Sequence, residues 1–105
     1  MTVKVKIGKD AALELEEAAV WYEKEQRGLG TRLISSFENA IKLLSEPNPP
    51  HTLVQGESGR KKKKKLILHK FPFSLIIYDV EQTRVVVALA HHSRKPGYWK
   101  SRATP

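Results

Sequence analysis

Residues 65–92 read KLILHKFPFSLIIYDVEQTRVVVALAHH, and this stretch decides the fold class of the chain. It consists of three mainly apolar runs separated by two short turns, a pattern typical of neighbouring strands. The runs cover residues 65–70, 74–80 and 84–92, with turns at Phe71-Pro72-Phe73 and around Glu81-Gln82-Thr83. Because consecutive strands joined by short links pair antiparallel, the stretch predicts a three-stranded meander.

A strand and a first helix are predicted upstream of this meander. Residues 3–7 alternate apolar and polar side chains, the period of a half-buried strand, and Gly8 ends the run. The helix is expected from Ala11 to about Gln26, with Asp10 as its N-cap and Gly28 just beyond its end.

The second helix is the clearest element of the sequence. Apolar residues from Leu33 to Leu44 recur at the helical spacing, so we expect a helix from about Thr31 to Ser45 that stops before Pro47. The short link after Gly28 predicts an antiparallel helix hairpin. An antiparallel sheet needs one covered face, and the hairpin can cover it, which gives an α+β class with the order β-α-α-β-β-β.

Length and composition limit the kind of protein. At 105 residues the chain is expected to form one domain over residues 1–105, and the polar tail from about residue 93 is expected to be poorly structured. No apolar run exceeds six residues, whereas a membrane helix needs about 20. The chain contains no cysteine, which excludes disulfides and thiolate metal sites. We expect a cytoplasmic protein without a metal or other cofactor.

Charge divides the chain into two halves. Residues 1–50 carry seven basic and eight acidic side chains, whereas residues 51–105 carry twelve basic and three acidic ones. A near-neutral half joined to a strongly basic half favours a polyanionic partner, either a nucleic acid or an acidic protein segment.

Several segments, taken in order, resemble the RelE/ParE superfamily of bacterial toxins. Its helix hairpin is similar to EAAVWYE at 17–23 followed by GLGTRL at 28–33. Its central strand hairpin is similar to KLILHKFPF at 65–73 with IIY at 76–78, and its last strand and tail to ALAHHSRKP at 88–96 with Trp99. The resemblance covers about residues 3–100, and the consecutive lysines of residues 61–65 depart from it.

The resemblance implies the toxin of a type II toxin–antitoxin module, with a cognate antitoxin whose C-terminal segment wraps the toxin. It also implies one of two targets. RelE-like members cut mRNA on the ribosome, and ParE-like members poison DNA gyrase without nuclease residues. A non-toxic, basic nucleic-acid-binding module is a weaker alternative.

Three residues near the end of the last strand are the candidates for catalysis. Metal-free RNA cleavage needs a base, an acid and cations that stabilise the charge developing on phosphate. Alternation along the strand places His91 with Val85, Val87 and Leu89 on the helix-covered face. It places His92 with Val86, Ala88 and Ala90 on an open face, so His92 is the preferred base. Arg94 is the candidate clamp for a phosphate or for an antitoxin carboxylate, with a solvated tail arginine as the alternative. Tyr98 is the candidate acid or stacking group, with tail packing as its alternative role.

The lysine run is the candidate nucleic-acid contact. Arg60, Lys61, Lys63 and Lys65 are proposed to bind phosphates, with Lys63 and Lys65 nearest the strand hairpin. Because lysine is a poor strand former and like charges repel, the run is expected in an exposed edge or loop, and a solvated solubility patch is an equal alternative.

Overall fold

The computed structural model describes residues 3–47, 52–53, 63–68, 70–94, 98–99 and 102. Within them, helices and strands follow one another as β1 (Lys4–Ile7), α1 (Lys9–Glu25), α2 (Leu29–Leu44), β2 (Thr52–Leu53), β3 (Lys63–Ile67), β4 (Phe73–Val80) and β5 (Thr83–His91). The strands form one sheet in the order β1-β5-β4-β3-β2. The predicted α+β fold with a helix hairpin and a strand meander is confirmed.

The first strand pairs differently from the expectation of an antiparallel sheet. β1 lies parallel to β5, with Lys4 opposite Thr83 and Ile7 opposite Val86, whereas β3, β4 and β5 form the predicted antiparallel meander. A parallel pair needs a long crossover connection, and the helix hairpin with the following strands supplies it. The sheet is therefore mixed, and the two-residue β2 extends it beyond β3.

Helix α1 begins two residues earlier than predicted. Its N-cap is Gly8, so the expectation that Asp10 caps the helix is wrong, and Asp10 lies in the first turn. The Gly8 amide donates a hydrogen bond of 2.8 Å to the Val86 carbonyl oxygen. This contact continues the β1–β5 ladder and anchors the start of the helix to the sheet.

Helix α2 also begins earlier than predicted, because Gly30 belongs to the helix and not to the link. Gly28 precedes the helix with a φ of 89°, a left-handed conformation that favours glycine. The Glu23 carboxylate of α1 accepts hydrogen bonds from the Gly28 and Gly30 amides at 2.8 and 3.0 Å. A Cβ at Gly30 would lie 2.4 Å from the Ala19 carbonyl oxygen, so glycine allows the two helices to approach closely here.

The helix hairpin covers one face of the sheet, and this side contains the main core. We call it the helix-covered face. Side chains from α1, α2, β3, β4 and β5 meet there, among them Ala19, Leu33, Phe37, Leu44, Leu75, Ile77 and Leu89. At the far end of α2, the Arg84 guanidinium donates to the carbonyl oxygens of Leu44, Glu46 and Pro47. Arg84 thus ties the C-terminus of α2 to β5.

A β-bulge in β5 changes which residues face the helices. Ile76 pairs with Ala88 and Ile77 with Val86, so Val87 is an extra residue on β5. Strict alternation correctly predicts Leu89 on the helix-covered face and Ala88 and Ala90 on the other, but it fails before the bulge. The expected positions of Val85, Val87 and Val86 are wrong: Val86 packs in the main core, and Val85 and Val87 pack on the opposite face.

The opposite face is not open, contrary to the sequence prediction. We call it the tail-covered face, because Trp99 packs on it with an exposed fraction of 5%. The second cluster joins Trp99 to Ile76, Val85, Val87 and Ala88, with Tyr98 packed against it. Of the described tail residues, Tyr98, Trp99 and Arg102 contact this side of the sheet. The sheet centre is therefore buried on both sides.

Candidate functional site at the end of strand β5

His92 follows directly after β5, with its side chain exposed to solvent. Its backbone amide donates to the Pro72 carbonyl oxygen at 2.8 Å. Its imidazole Nε2 lies 2.8 Å from Oγ of Ser74, a residue of β4 that is 3% exposed. Ser74 lies on the strand face of Ile76, so the His92 ring meets the tail-covered face at its margin, on the side that alternation predicted.

His91 has different partners from its neighbour. Its Nδ1 accepts a hydrogen bond of 3.0 Å from the Ser93 amide and lies 2.7 Å from the Ser93 hydroxyl. Its ring stacks edge-on against Phe73 of the main core, with centroids 5.0 Å apart. His91 therefore points to the helix-covered face, as predicted, and the two histidines do not share a site.

Arg94 and Tyr98 lie together. The Arg94 guanidinium carbon is 4.0 Å from the centroid of the Tyr98 ring, a cation–π distance. No carboxylate in the described part of the chain pairs with Arg94, which is exposed. The structure thus places an exposed guanidinium two residues after His92.

The hydroxyl of Tyr98 is already engaged. It donates a hydrogen bond of 2.6 Å to Oε2 of Glu14 on α1. Burial raises the pKa of Tyr98 to about 12, and the hydrogen bond to Glu14 and its negative charge add to the effect. A phenol that holds its proton this firmly and already donates it is poorly suited to act as a general acid, so the contact favours tail packing, the alternative role given above for Tyr98.

Glu14 is the residue that sequence reasoning missed. Its carboxylate accepts from the Leu89 amide at 3.0 Å and from the Arg102 guanidinium at 2.8 Å, as well as from Tyr98. Arg102 also donates to the Val87 carbonyl oxygen at 3.2 Å. β1 pairs with β5 only as far as Val86, so these side chains satisfy backbone groups where the ladder ends. We call Glu14, Tyr98 and Arg102 the tail clamp.

Three of the five consecutive lysines lie in β3, although a loop or edge was expected. β3 pairs with β4 on one side and with the short β2 on the other, where Thr52 lies opposite Lys65. Lys64 forms an ion pair of 2.7 Å with Asp79. Lys65 lies opposite Ile76 and is half-buried, so it shares the tail-covered face with Ser74. Lys63 lies opposite Tyr78, and Arg60 and Lys61 fall outside the described residues.

A groove runs between α2 and β3 on the helix-covered side. Its volume is about 940 Å³, and apolar residues that include Tyr22, Leu43 and Phe71 line it. Ile67, which is 59% exposed, lies opposite Ser74, so its side chain shares the tail-covered face and borders the groove only at the edge of β3. Arg32 and Lys70 also line the groove, and none of its described lining residues is acidic.

Helix α1 carries a second exposed apolar surface. Leu13, Val20 and Trp21 are each more than half exposed, and Trp21 reaches 57%. Their spacing of seven and eight residues places them on one side of the helix. We call these three residues the α1 stripe.

The described residues contain neither a metal-binding cluster nor a membrane-spanning helix. No group of three histidine or acidic side chains there is arranged to hold a metal ion. No described helix has the length and apolar character needed to span a bilayer.

Comparison with known proteins identifies the fold. No protein-family model matches the chain, and no curated protein matches it. Among solved structures, it is similar to a chain of the "Chromosomal ParDE TA system from P. aeruginosa", with a TM-score of 0.72 at 15% sequence identity. The match covers 85% of this chain and 95% of that chain. The predicted RelE/ParE-like fold is thereby confirmed.

Proposed function

We propose that this chain is the toxin of a type II toxin–antitoxin module. The observation that carries the proposal is the fold shared with a chain of the ParDE system over 85% of this chain. The basic C-terminal half and the exposed Arg94 just after β5 support it, because the targets of such toxins are nucleic acids or act on them.

The cognate antitoxin is proposed to lie in the groove between α2 and β3. The apolar walls of the groove suit the apolar side chains of a partner segment. Arg32 and Lys70, with no described acidic neighbour in the lining, favour a segment that also carries carboxylates. Leu43, which is 40% exposed and lines the groove, would be covered by such a segment, which removes an exposed apolar residue from solvent.

Ribosome-dependent mRNA cleavage is the first mechanism. The exposed imidazole of His92 is proposed to take the proton of an RNA 2′-hydroxyl, whose oxygen then bonds to the adjacent phosphorus. The bond from phosphorus to the 5′-oxygen breaks, its electron pair stays with that oxygen, and water protonates it. His92 then returns its proton to solvent. The products are a 2′,3′-cyclic phosphate and a free 5′-hydroxyl.

The cations near His92 are proposed to stabilise the phosphate in this reaction. Arg94 is exposed and has no described carboxylate partner, so its guanidinium can bind two phosphate oxygens. Lys65, on the tail-covered face, and Lys63, two residues earlier in β3, are proposed to bind neighbouring phosphates. Arg60 and Lys61 are also proposed to bind phosphates.

Regulated expression in bacteria, with and without a neighbouring antitoxin gene, tests the toxin. Growth should stop without the antitoxin and recover with it, and harmless expression would instead support the non-toxic nucleic-acid-binding module. Translation should stop and mRNA should be cleaved before any DNA damage appears. Primer extension should show new mRNA 5′ ends inside translated regions.

The adjacent histidines provide a matched pair of variants for the mechanism. His92→Ala should reduce mRNA cleavage by about 100-fold or more, the usual effect of losing a general base. His91→Ala should leave most of the cleavage intact, because His91 faces the main core. Equal activity of His92→Ala and the unmodified protein would remove His92 from the mechanism.

A non-enzymatic gyrase poison is the second candidate. The α1 stripe supports it, because three large apolar side chains on one exposed helix face are typical of a protein contact. In this case the purified protein should trap gyrase-cleaved plasmid, and Trp21→Ser should weaken the effect while His92→Ala leaves it unchanged. Cleaved mRNA without cleaved plasmid would exclude this mechanism.

A further inference from the structure

Ser74 is a buried polar side chain in a sheet that is otherwise apolar at its centre. It is 3% exposed and lies in β4 opposite Ala90 of β5. A hydroxyl that is removed from water is unfavourable unless it forms a hydrogen bond. In the described part of the chain, the side-chain partner of this hydroxyl is Nε2 of His92 at 2.8 Å.

We propose that Ser74 is a positioning residue that holds His92 by Nε2, so that Nδ1 is the atom that accepts the RNA 2′-hydroxyl proton. This inference rests on the mRNA-cleavage mechanism proposed above. The 2.8 Å contact allows either group to donate. In the proposed tautomer of the neutral ring, Nε2 carries the proton and donates to Ser74 Oγ. Nδ1 is then the free acceptor, and it makes no hydrogen bond to the described residues.

Two contacts fix His92 at opposite ends of the residue. The backbone amide donates to Pro72, in the turn before β4, and the ring binds Ser74, inside β4. The residue is exposed, and an exposed histidine without such contacts samples several rotamers. Because a short side chain on a central strand has little freedom, Ser74 gives the imidazole a defined orientation.

His91 shows why the neighbouring imidazole is unsuited to the same role. The Ser93 amide can only donate, so the Nδ1 of His91 must accept, and the proton of the neutral ring is on Nε2. The remaining ring nitrogen of His91, Nε2, is thus a donor. With the proposed tautomer of His92, the two histidines differ in the nitrogen available to a substrate: Nε2–H in His91 and the acceptor Nδ1 in His92.

The experiment measures tautomers in the full chain labelled with ¹⁵N-histidine, by long-range ¹H–¹⁵N correlation at a pH where the rings are neutral. His92 should populate mainly the Nε2–H form. Ser74→Ala should convert it to a mixture of tautomers, and Ser74→Thr, which keeps the hydroxyl, should preserve it. Ser93→Ala is the matched control: it removes a hydroxyl partner from His91 and should leave the His92 signals unchanged.

The same variants are then assayed for mRNA cleavage in a cell-free translation extract. Ser74→Ala should lower the cleavage rate about tenfold, less than the ~100-fold loss expected for His92→Ala. Ser74→Thr should restore most of the rate. Ser93→Ala should cleave at the rate of the unmodified chain.

Three results would overturn the inference. An Nδ1–H tautomer at His92 of the unmodified chain would do so without any variant, even if Ser74→Ala failed to fold. An altered tautomer with unchanged cleavage in Ser74→Ala would show that the contact has no role in the reaction. No mRNA cleavage by the unmodified chain, with the expected tautomers, would leave the Ser74 contact established, but it would reject both the proposed mechanism and this role.

Discussion

The two faces of the sheet are buried in different ways. The helix-covered face is packed by two long helices that contribute many large side chains, whereas the tail-covered face depends on Trp99 and on the tail clamp. Among the described residues, the first face has redundant contacts and the second has few. The candidate site lies at the margin of the second face, so its geometry depends on the less redundant side.

The largest expected effect tests the helix-covered face. Phe37→Ala removes an aromatic ring that is 2% exposed and should lower the free energy of unfolding by about 3–5 kcal/mol. Denaturant unfolding followed by circular dichroism measures it. Leu13→Ala, on the exposed side of α1, is the control and should change stability by under about 0.5 kcal/mol. A small loss in Phe37→Ala would mean that the main core tolerates cavities.

Trp99→Ala tests the tail-covered face. Loss of this side chain should cost about 2–3 kcal/mol, less than the loss at Phe37 because the tail can separate while the helix-covered core stays intact. Hydrogen exchange should increase at residues 98–102 and along β5 but not in α2. If protection fell equally in α2, the two faces would be one cooperative unit.

Glu14→Gln tests the tail clamp. The amide keeps the shape of the side chain but loses the charge that binds Arg102 and Tyr98, so we expect a loss of about 1–2 kcal/mol. Thermal or denaturant unfolding measures it, with Glu17→Gln, an exposed position of the same helix, as control. Equal losses of stability in Glu14→Gln and Glu17→Gln would show that the tail clamp adds little to the free energy of unfolding.

The smallest effect is a pH dependence from Tyr98. Burial raises its pKa from 10.0 to about 12, so between these pH values the unfolded chain loses the phenolic proton while the folded chain keeps it. The stability from this group is complete below pH 10 and is lost as the pH rises towards 12. Tyr98→Phe should show a shallower decline in this range, and ultraviolet difference titration should locate the tyrosine. If the stability of Tyr98→Phe and of the unmodified chain declined in parallel over this pH range, the raised pKa of Tyr98 would be contradicted.

Much of the fold could be predicted because its signals are local. The apolar spacing that predicts α2 repeats every three to four residues. The apolar runs and turns that predict β3 to β5 are also short segments, so the helix hairpin and the strand meander could be predicted from local sequence. The errors arose where local rules compete. A one-residue bulge at Val87 exchanged the faces of Val85 and Val86, and pairing with both neighbours placed lysines in β3 despite their low strand propensity.

The candidate site was predicted in part. The sequence pointed to His92 and Arg94 because their chemistry suits phosphate, and both are exposed at the end of β5. It could not indicate Ser74, since a serine in a strand has no distinctive pattern until its partner is known. The partner of Tyr98 was equally hidden, because the Glu14 carboxylate that binds it lies on another element, although tail packing was already an alternative role for Tyr98.

By itself, the sequence determined the helix hairpin, the strand meander, the basic C-terminal half and the histidine at the strand end, because periodicity, turns and charge act over short distances. The tertiary structure decided the parallel pairing of β1, the cover over the second face and the partners of the site. Glu14 lies 84 residues from Tyr98 and 88 from Arg102. Contacts across such separations leave no local pattern in the sequence, and they form only when folding brings the tail across the sheet to α1.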